Sequence, residues 1–217
     1  RGIQMVMPES GRLACGYTGD GKLAPVQQVI DATLKVLSGK DTASVKQDLA
    51  GKKLLITAGP THEKIDPVRF IANCSTGKLG YTIARVAASR GADVTLISGP
   101  TYLEAPEGVI IQRVVSAEDM YKACMSVFDN VDVAILTAAV ADYTPAHPAD
   151  HKLKKSLEYL ESIDLKETTD ILASLSKAKK EQVVVGFAAE TNNVLEHAQA
   201  KLERKGCSMI VANDVSR

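Results

Sequence analysis

From Lys52 onward, short apolar runs rich in β-branched residues alternate with stretches of helical periodicity. No other feature constrains the fold as much. Lys53–Ala58 (KLLITA) and residues 92–98 (ADVTLIS), 109–115, 131–138, 183–188 and 208–212 read as six strands. They are apolar almost throughout, where a half-exposed strand would alternate with polar residues, so both faces should be covered. Between them, residues 77–90 read as a helix with Leu79, Ile83, Val86 and Ala87 inward, closed by Gly91. Ser116 should N-cap a second helix, with Asp119 in its first turn and Met120, Ala123, Cys124, Val127 and Phe128 inward. Residues 170–180 and 193–205 read as two more. The succession predicts an α/β fold that is Rossmann-like, a mostly parallel sheet with helices on both faces.

Ahead of Lys52 the composition changes. Residues 1–37 hold a Gly-rich loop over 11–25 and a short helix over 26–37, and the small, polar residues 38–51 (SGKDTASVKQDLAG) read as a linker. The chain begins at Arg1 in mid-pattern, so a fragment of a longer protein is expected. Its 217 residues fit one or two domains. Positive and negative charges balance, which gives no reason to expect nucleic acid or an anionic membrane as partner. No apolar run approaches the roughly 18 residues of a membrane span, and no signal-peptide layout is present. Cys15, Cys74, Cys124 and Cys207 are far apart and form no CxxC pair. Structural zinc is not expected, and a reducing cytoplasm is the simplest setting.

In sheets of this kind, ligands bind outside the carboxyl ends of the strands. That rule directs attention to five segments. Residues 72–80 (ANCSTGKLG) precede a helix, and free N–H groups, the Ser75 and Thr76 hydroxyls and Gly77 make the recipe for an anion seat. It is neither a Walker A loop nor GxGxxG, and an ordinary helix cap by Ser75 or Thr76 fits equally well. Residues 59–69 (GPTHEKIDPVR) form a long charged loop, in which Arg69 either clamps an anion through its planar fork or is a solvated surface group. Residues 137–155 carry small residues, then Asp142, then a basic cluster at Lys152, Lys154 and Lys155 that suits developing phosphate charge or is a solvated turn. Residues 186–193 (GFAAETNN) offer Phe187 for base stacking or for the core. Lys201 and Lys205 fall on one helix face, as phosphate contacts or a solvated surface. Residues 13–21 (LACGYTGDG) place Cys15 in a Gly-rich loop that reads as a reactive lid or a plain loop thiol.

ITAGPTHEKIDPVRFIANCSTGKLG, TAAVADY, KLKK, GFAAETNN and VANDVS, in that order, resemble the bacterial phosphopantothenoylcysteine synthetase domain, the C-terminal half of the bifunctional coenzyme A biosynthesis protein. The resemblance covers residues 52–217. LACGYTGDGKL resembles the ACG-containing lid at the end of the phosphopantothenoylcysteine decarboxylase half. The division implied is a decarboxylase remnant over 1–37, a linker over 38–51 and a synthetase domain over 52–217 that lacks its C-terminal flap.

The implied activity is a CTP-dependent ligation. The carboxylate of 4′-phosphopantothenate attacks the α-phosphate of CTP to give an acyl-cytidylate and pyrophosphate. The amine of cysteine then displaces CMP. Magnesium is expected on the triphosphate. The resemblance assigns Lys152 to the first step and Asn73 and Arg69 to the second. To the nucleotide it assigns Ala138, Asp142, Lys152, Thr169, Asp170, Ile171, Leu172, Phe187, Lys201 and Lys205. Ser75, Thr76 and Gly77 would hold the phosphate of phosphopantothenate. Cys15 would be the proton donor of the decarboxylase half, whose FMN site lies in a region outside this sequence. Cys74 stands where the family often has His, Thr76 where it has Ser, and Thr169 where it has Pro. A homodimer through the synthetase domain, a larger assembly with the decarboxylase half and a cytoplasmic setting are implied as well. Two other readings compete: an NAD(P)-dependent oxidoreductase, by fold analogy alone, and an inactive core that needs the missing flap.

Overall fold

The structure, a computed structural model, describes residues 6–12, 18–22, 24–37, 46–154, 162–190 and 193–214. The chain forms two compact units, Arg1–Lys46 and Gln47–Arg217. In the first, β1 (Glu9–Arg12) and β2 (Thr18–Lys22) pair antiparallel, and α1 (Val26–Leu37) follows. The helix lies where periodicity put it. The Gly-rich stretch is not a plain loop, because Gly11 pairs with Gly19 across a ladder. Glycine carries no strand signal, so propensity hides such a hairpin. Cys15 lies outside the described residues.

In the second unit, β3 (Lys53–Ala58) leads into a two-residue hairpin, β4 (Glu63–Lys64) and β5 (Phe70–Ile71). Next come α2 (Lys78–Ser89), β6 (Asp93–Ser98), β7 (Val109–Arg113), α3 (Ala117–Phe128) and β8 (Val133–Leu136). A second small hairpin follows, β9 (Tyr143–Pro145) with β10 (Leu165–Glu167). The unit ends with α4 (Ile171–Ala178), β11 (Val183–Glu190), α5 (Val194–Lys205) and β12 (Met209–Asp214). The six expected strands form one parallel sheet, ordered β12-β11-β8-β3-β6-β7. Numbered by appearance, they lie 3-2-1-4-5-6, the doubly wound order. Neither small hairpin was expected; runs this short are below what periodicity resolves.

The apolar run of β3 serves two cores. Leu54, Ile56 and Ala58 pack against Tyr81, Ala84 and Ala87 of α2. Leu55 faces Met120, Cys124 and Phe128 of α3 and Leu175 of α4. The sheet therefore has helices on both faces, as the strand composition requires. Ser116 caps α3 as expected, with a full capping box: its Oγ accepts from Asp119 N at 3.1 Å and Asp119 Oδ2 from Ser116 N at 3.0 Å. Burial pushes the Cys124 thiol up to about 12, so it is an inert core group.

The inward face of α2 is as expected at Ala87 and at Ile83, which packs on the same core, and differs at Leu79 and Val86. Leu79 and Val86 are 52% and 46% exposed, while Gly80, Tyr81, Ala84 and Ala87 are buried. Small residues win the inward face because the helix lies hard against the sheet. A Cβ on Gly80 would stand 2.6 Å from Ala58 Cβ and 3.0 Å from Thr57 O. Residues 47–51, read as the end of a linker, belong to this unit. Leu49 N donates to Arg90 O at 3.1 Å, Gln47 Nε2 to Ser89 O at 3.0 Å, and Asp48 pairs with Arg90 at 2.7 Å.

The close approach of α2 predicts that Gly80→Ala lifts the helix and costs about 1–3 kcal/mol in urea unfolding. Arg85→Ala on the exposed side of the same helix should stay within about 0.5 kcal/mol.

Candidate functional site

Between β3 and β8 the chain order reverses, and a cleft of about 610 Å³ opens at the carboxyl ends there. Thr57, Leu136 and Ala138 form its floor, and Asn73, Asp142, Phe187 and the 167–172 turn line its sides. Of the residues singled out in the sequence, it brings together Asn73, Ala138, Asp142, Thr169, Asp170, Ile171, Leu172, Phe187, Lys201 and Lys205. Val140 and Tyr143, within the flagged segment 137–155, also line it, as do Thr57, Glu167 and Thr168, which were not anticipated. Thr57 did carry a signal, as the one hydroxyl within an otherwise apolar run. A larger cleft of about 840 Å³, which includes His62, Glu63 and Asp119, shares Glu167, Thr168 and Thr169 with it. No other expected site residue borders that second cleft.

The floor is where β3 and β8 end, and side chains help hold the backbone that leaves them. Thr57 Oγ1 accepts from Ala138 N at 3.2 Å, and Thr137 Oγ1 donates to Thr57 O at 2.6 Å. At buried Ala141, the N–H donates to Thr61 Oγ1 at 3.0 Å and the carbonyl accepts from Thr168 Oγ1 at 2.6 Å. Thr168 N donates to Asp142 O at 2.9 Å. The turn at 168–170 is thus fixed to the strand end beside it. Asn73 Nδ2 donates to Val140 O at 2.9 Å, which binds the segment before α2 to the same floor.

One wall is a helix start. Asp170 N-caps α4 by accepting from Ala173 N at 2.9 Å. It also pairs with Lys205, while Lys201 Nζ donates to Phe187 O at 2.8 Å. The two cations share a helix face as their spacing requires, and both are already engaged with groups of the cleft. Burial would raise the Asp170 carboxyl. Hydrogen bonds from Lys205 and Ala173 N, with the charges of Lys205 and Lys201, outweigh burial and hold it below its ordinary value. Gly186 lies under Leu172: a Cβ there would meet Leu172 Cδ2 at 2.7 Å. Close packing of the turn on β11 needs that glycine.

Ser75, Thr76 and Gly77 do not line the cleft; Gly77 lies against the turns that follow β3 and β6. A Cβ on Gly77, at φ +75°, would meet Thr101 Cγ2 at 2.9 Å and Gly59 N at 3.1 Å. The capping alternative is not realised. The N-cap of α2 is Gly77, with no side-chain cap bond. The hydroxyls instead accept locally, Ser75 from Gly77 N at 3.3 Å and Thr76 from Lys78 N at 3.4 Å.

Lys152 is exposed and also outside the cleft wall, and Lys155 lies outside the described residues. Arg69 is neither an open clamp nor a simple solvated group. Its fork closes on buried Asp66, with Nε at 2.9 Å from Oδ2, and its Nη2 donates to Leu153 O at 3.1 Å. The Arg69 hydrogen bond, helped by the amides of Val68, Arg69 and Leu153 and opposed by burial, holds the Asp66 carboxyl far below the usual carboxylate range. Cys74 is an exposed free thiol.

A family model described as "DNA/pantothenate metabolism flavoprotein C-terminal domain" matches residues 49–217. The chain is 47% identical over 215 residues to the "Coenzyme A biosynthesis bifunctional protein CoaBC" of Bacillus subtilis, covering 99% of this chain and 52% of that protein. It thus spans about half the length of that relative. The crystal structure of the C-terminal domain of a CoaBC protein superposes with a TM-score of 0.69 at 50% identity, covering 79% of this chain and 80% of the other. A Cab2 H337A variant in complex with phosphopantothenate-cysteine shares the fold, with a TM-score of 0.63 at 17% identity over 90% of this chain and 81% of that one.

Asp170 predicts two separable effects. Asp170→Ala loses the cap and should cost about 1 kcal/mol in thermal unfolding, while Asp170→Asn keeps the cap and loses the charge pair. A carboxylate held below its unfolded value stabilises above that value, and the gain fades as pH falls through the folded pKa. The stability gap between the native protein and Asp170→Asn should therefore be flat above about pH 4 and shrink below it.

Proposed function

The chain belongs to the DNA/pantothenate metabolism flavoprotein C-terminal domain family, and from that premise we propose that it is a phosphopantothenate–cysteine ligase domain of coenzyme A biosynthesis. CTP is its nucleotide, and 4′-phosphopantothenate and cysteine are its other substrates. The observation that carries the reading is the cleft. Ten residues assigned to nucleotide or acyl chemistry on sequence grounds line one cavity at the reversal of strand order.

In this reading the nucleoside lies against Phe187 and the start of α4, and the triphosphate extends toward Lys201 and Lys205. An incoming polyphosphate draws Lys205 from Asp170 and Lys201 from the Phe187 carbonyl, replacing weak partners with a higher charge. Magnesium would accompany the triphosphate and supply charge neutralisation there. The phosphopantothenate carboxylate attacks the α-phosphorus, the P–O bond to pyrophosphate breaks, and Lys152 stabilises the charge that develops. The cysteine amine then attacks the acyl carbonyl. Its oxygen receives a hydrogen bond from the second amide N–H of Asn73, the first being spent on Val140, and CMP leaves with the bonding pair. Ser75, Thr76 and the amides beyond Gly77 anchor the substrate phosphate. Cytoplasmic location, a homodimer, and decarboxylation by a flavin half with Cys15 as proton donor belong to the same proposal for the longer protein.

Pyrophosphate release should require CTP, phosphopantothenate and magnesium together. Release that ignored phosphopantothenate, or tight NADPH binding without CTP binding, would overturn the reading. Lys152→Gln should stop acyl-cytidylate formation, whereas Asn73→Asp should let that intermediate accumulate. Lys205→Ala should raise the KM for CTP about 10-fold, roughly the 1.4 kcal/mol of one charged contact.

A further inference from the structure

Asp66 has more partners than its turn requires. It is 1% exposed. Its Oδ1 accepts from Val68 N and Arg69 N, both at 2.8 Å, which completes a local turn. Its Oδ2 serves a distant segment: it accepts from Leu153 N at 3.2 Å, across 87 residues of sequence. Arg69, fixed to the same oxygen, donates to Leu153 O at 3.1 Å. Both backbone polar groups of Leu153 are therefore gripped by one ion pair. Nearby, Ala149 N donates to Ile65 O at 2.9 Å. Residues 150–154 belong to no helix or strand, so these contacts supply the order that a ladder would give elsewhere. Lys152 stands between the two tethers.

We propose that Asp66 is a positioning residue for Lys152: its carboxylate, with Arg69 as second arm, fixes the Leu153 backbone and so sets where the lysine reaches. The proposal rests on the ligase reading above for the role of Lys152, but the clamp is observable without it. A buried carboxylate is costly unless its lone pairs are used, and here the far oxygen is used on the lysine segment. Arginine suits the second arm because one planar fork spans the carboxylate and a carbonyl together, which a lysine ammonium does not reproduce.

The test uses the full-length protein. Asp66→Asn should lower kcat for pyrophosphate release about 10- to 100-fold, the effect of a misplacement near 1 Å. The Kd for CTP, by calorimetry, should move less than about 2-fold, since neither Asp66 nor Lys152 lines the cleft of about 610 Å³ and the ligase reading uses Lys152 on charge that develops during the reaction. In a Lys152→Arg background the same substitution should cost less than about 2-fold, because the two act as one unit. Independent penalties that multiply, or loss of CTP binding alongside kcat, would reduce Asp66 to a structural residue. Hydrogen exchange supplies the arm that needs no activity. The Leu153 amide should be protected in the native protein and lose protection in Asp66→Asn; a fast-exchanging native Leu153 overturns the clamp. If Asp66→Asn does not fold, Arg69→Lys replaces it, keeping the charge while dropping the arm to the Leu153 carbonyl. No CTP- and phosphopantothenate-dependent pyrophosphate release by the native protein, with Leu153 still protected, would show that the ligase reading had failed and the clamp had not; full activity of Lys152→Gln would overturn the proposal by removing the role of Lys152.

Discussion

The site depends on β3 being enclosed on every side. Its edges are bonded to β6 and β8, and its faces are sealed by α2 and by α3 with α4. A strand so held ends at a fixed point, where Gly59, at φ +77°, bends the chain and one further bridge, Pro60 to Ala139, continues the pairing. The sheet grows from β3 in both directions, and the covering helices lie on opposite faces. No crossover then roofs the carboxyl ends at that reversal. The cleft is the space this topology leaves, and Thr57, the last polar residue of β3, is part of its floor.

The cations of the cleft are held before any ligand arrives. Lys205 rests on Asp170 and Lys201 on a backbone carbonyl. Side-chain relative exposures of 19% for Lys205 and 43% for Asp170 leave the pair too wet to add much to stability. Its consequence is organisation. Two long side chains are already ordered at the cleft, so a bound polyanion does not pay that entropy anew. The same arrangement discriminates, since an anion must outcompete a carboxylate for Lys205, and a weakly charged ligand cannot.

Much of this was legible in the sequence because it follows from burial. All six strands of the sheet and the capped start of α3 came from apolar runs and from Ser116 with Asp119. Of the ten expected cleft residues, Asp142, Phe187, Lys201 and Lys205 came from segments that follow strands, and Asn73, Ala138 and Thr169 to Leu172 from the family resemblance. The inward face of α2 was misread in part because hydrophobicity favours Leu79 and Val86, while the deciding quantity is clearance, which favours Gly80 and Ala84. The hairpins at β1–β2, β4–β5 and β9–β10 were missed for a related reason: glycine pairs and ladders of two or three residues have no hydrophobic period to read. Asp66 was passed over because its worth lies in a partner 87 residues away.

That last case and the floor of the cleft share one device. Ala141 and Leu153 both lie in irregular segments, and at each the N–H and the carbonyl are bound by side chains instead of a neighbouring strand. Two threonines serve Ala141; an aspartate and an arginine serve Leu153. A ligand site needs backbone that leaves the sheet, yet backbone without a ladder is loose and leaves polar groups to satisfy. Short polar side chains from other turns resolve both demands at once. The choice of side chain follows the surroundings. Neutral hydroxyls suffice at buried Ala141, whereas the half-buried Leu153 lies beside an exposed lysine segment and is held by charged groups, whose hydrogen bonds are stronger. On this argument, the residues that shape such a site include many that touch no ligand, and they are found by tracing where each irregular N–H and carbonyl finds its partner.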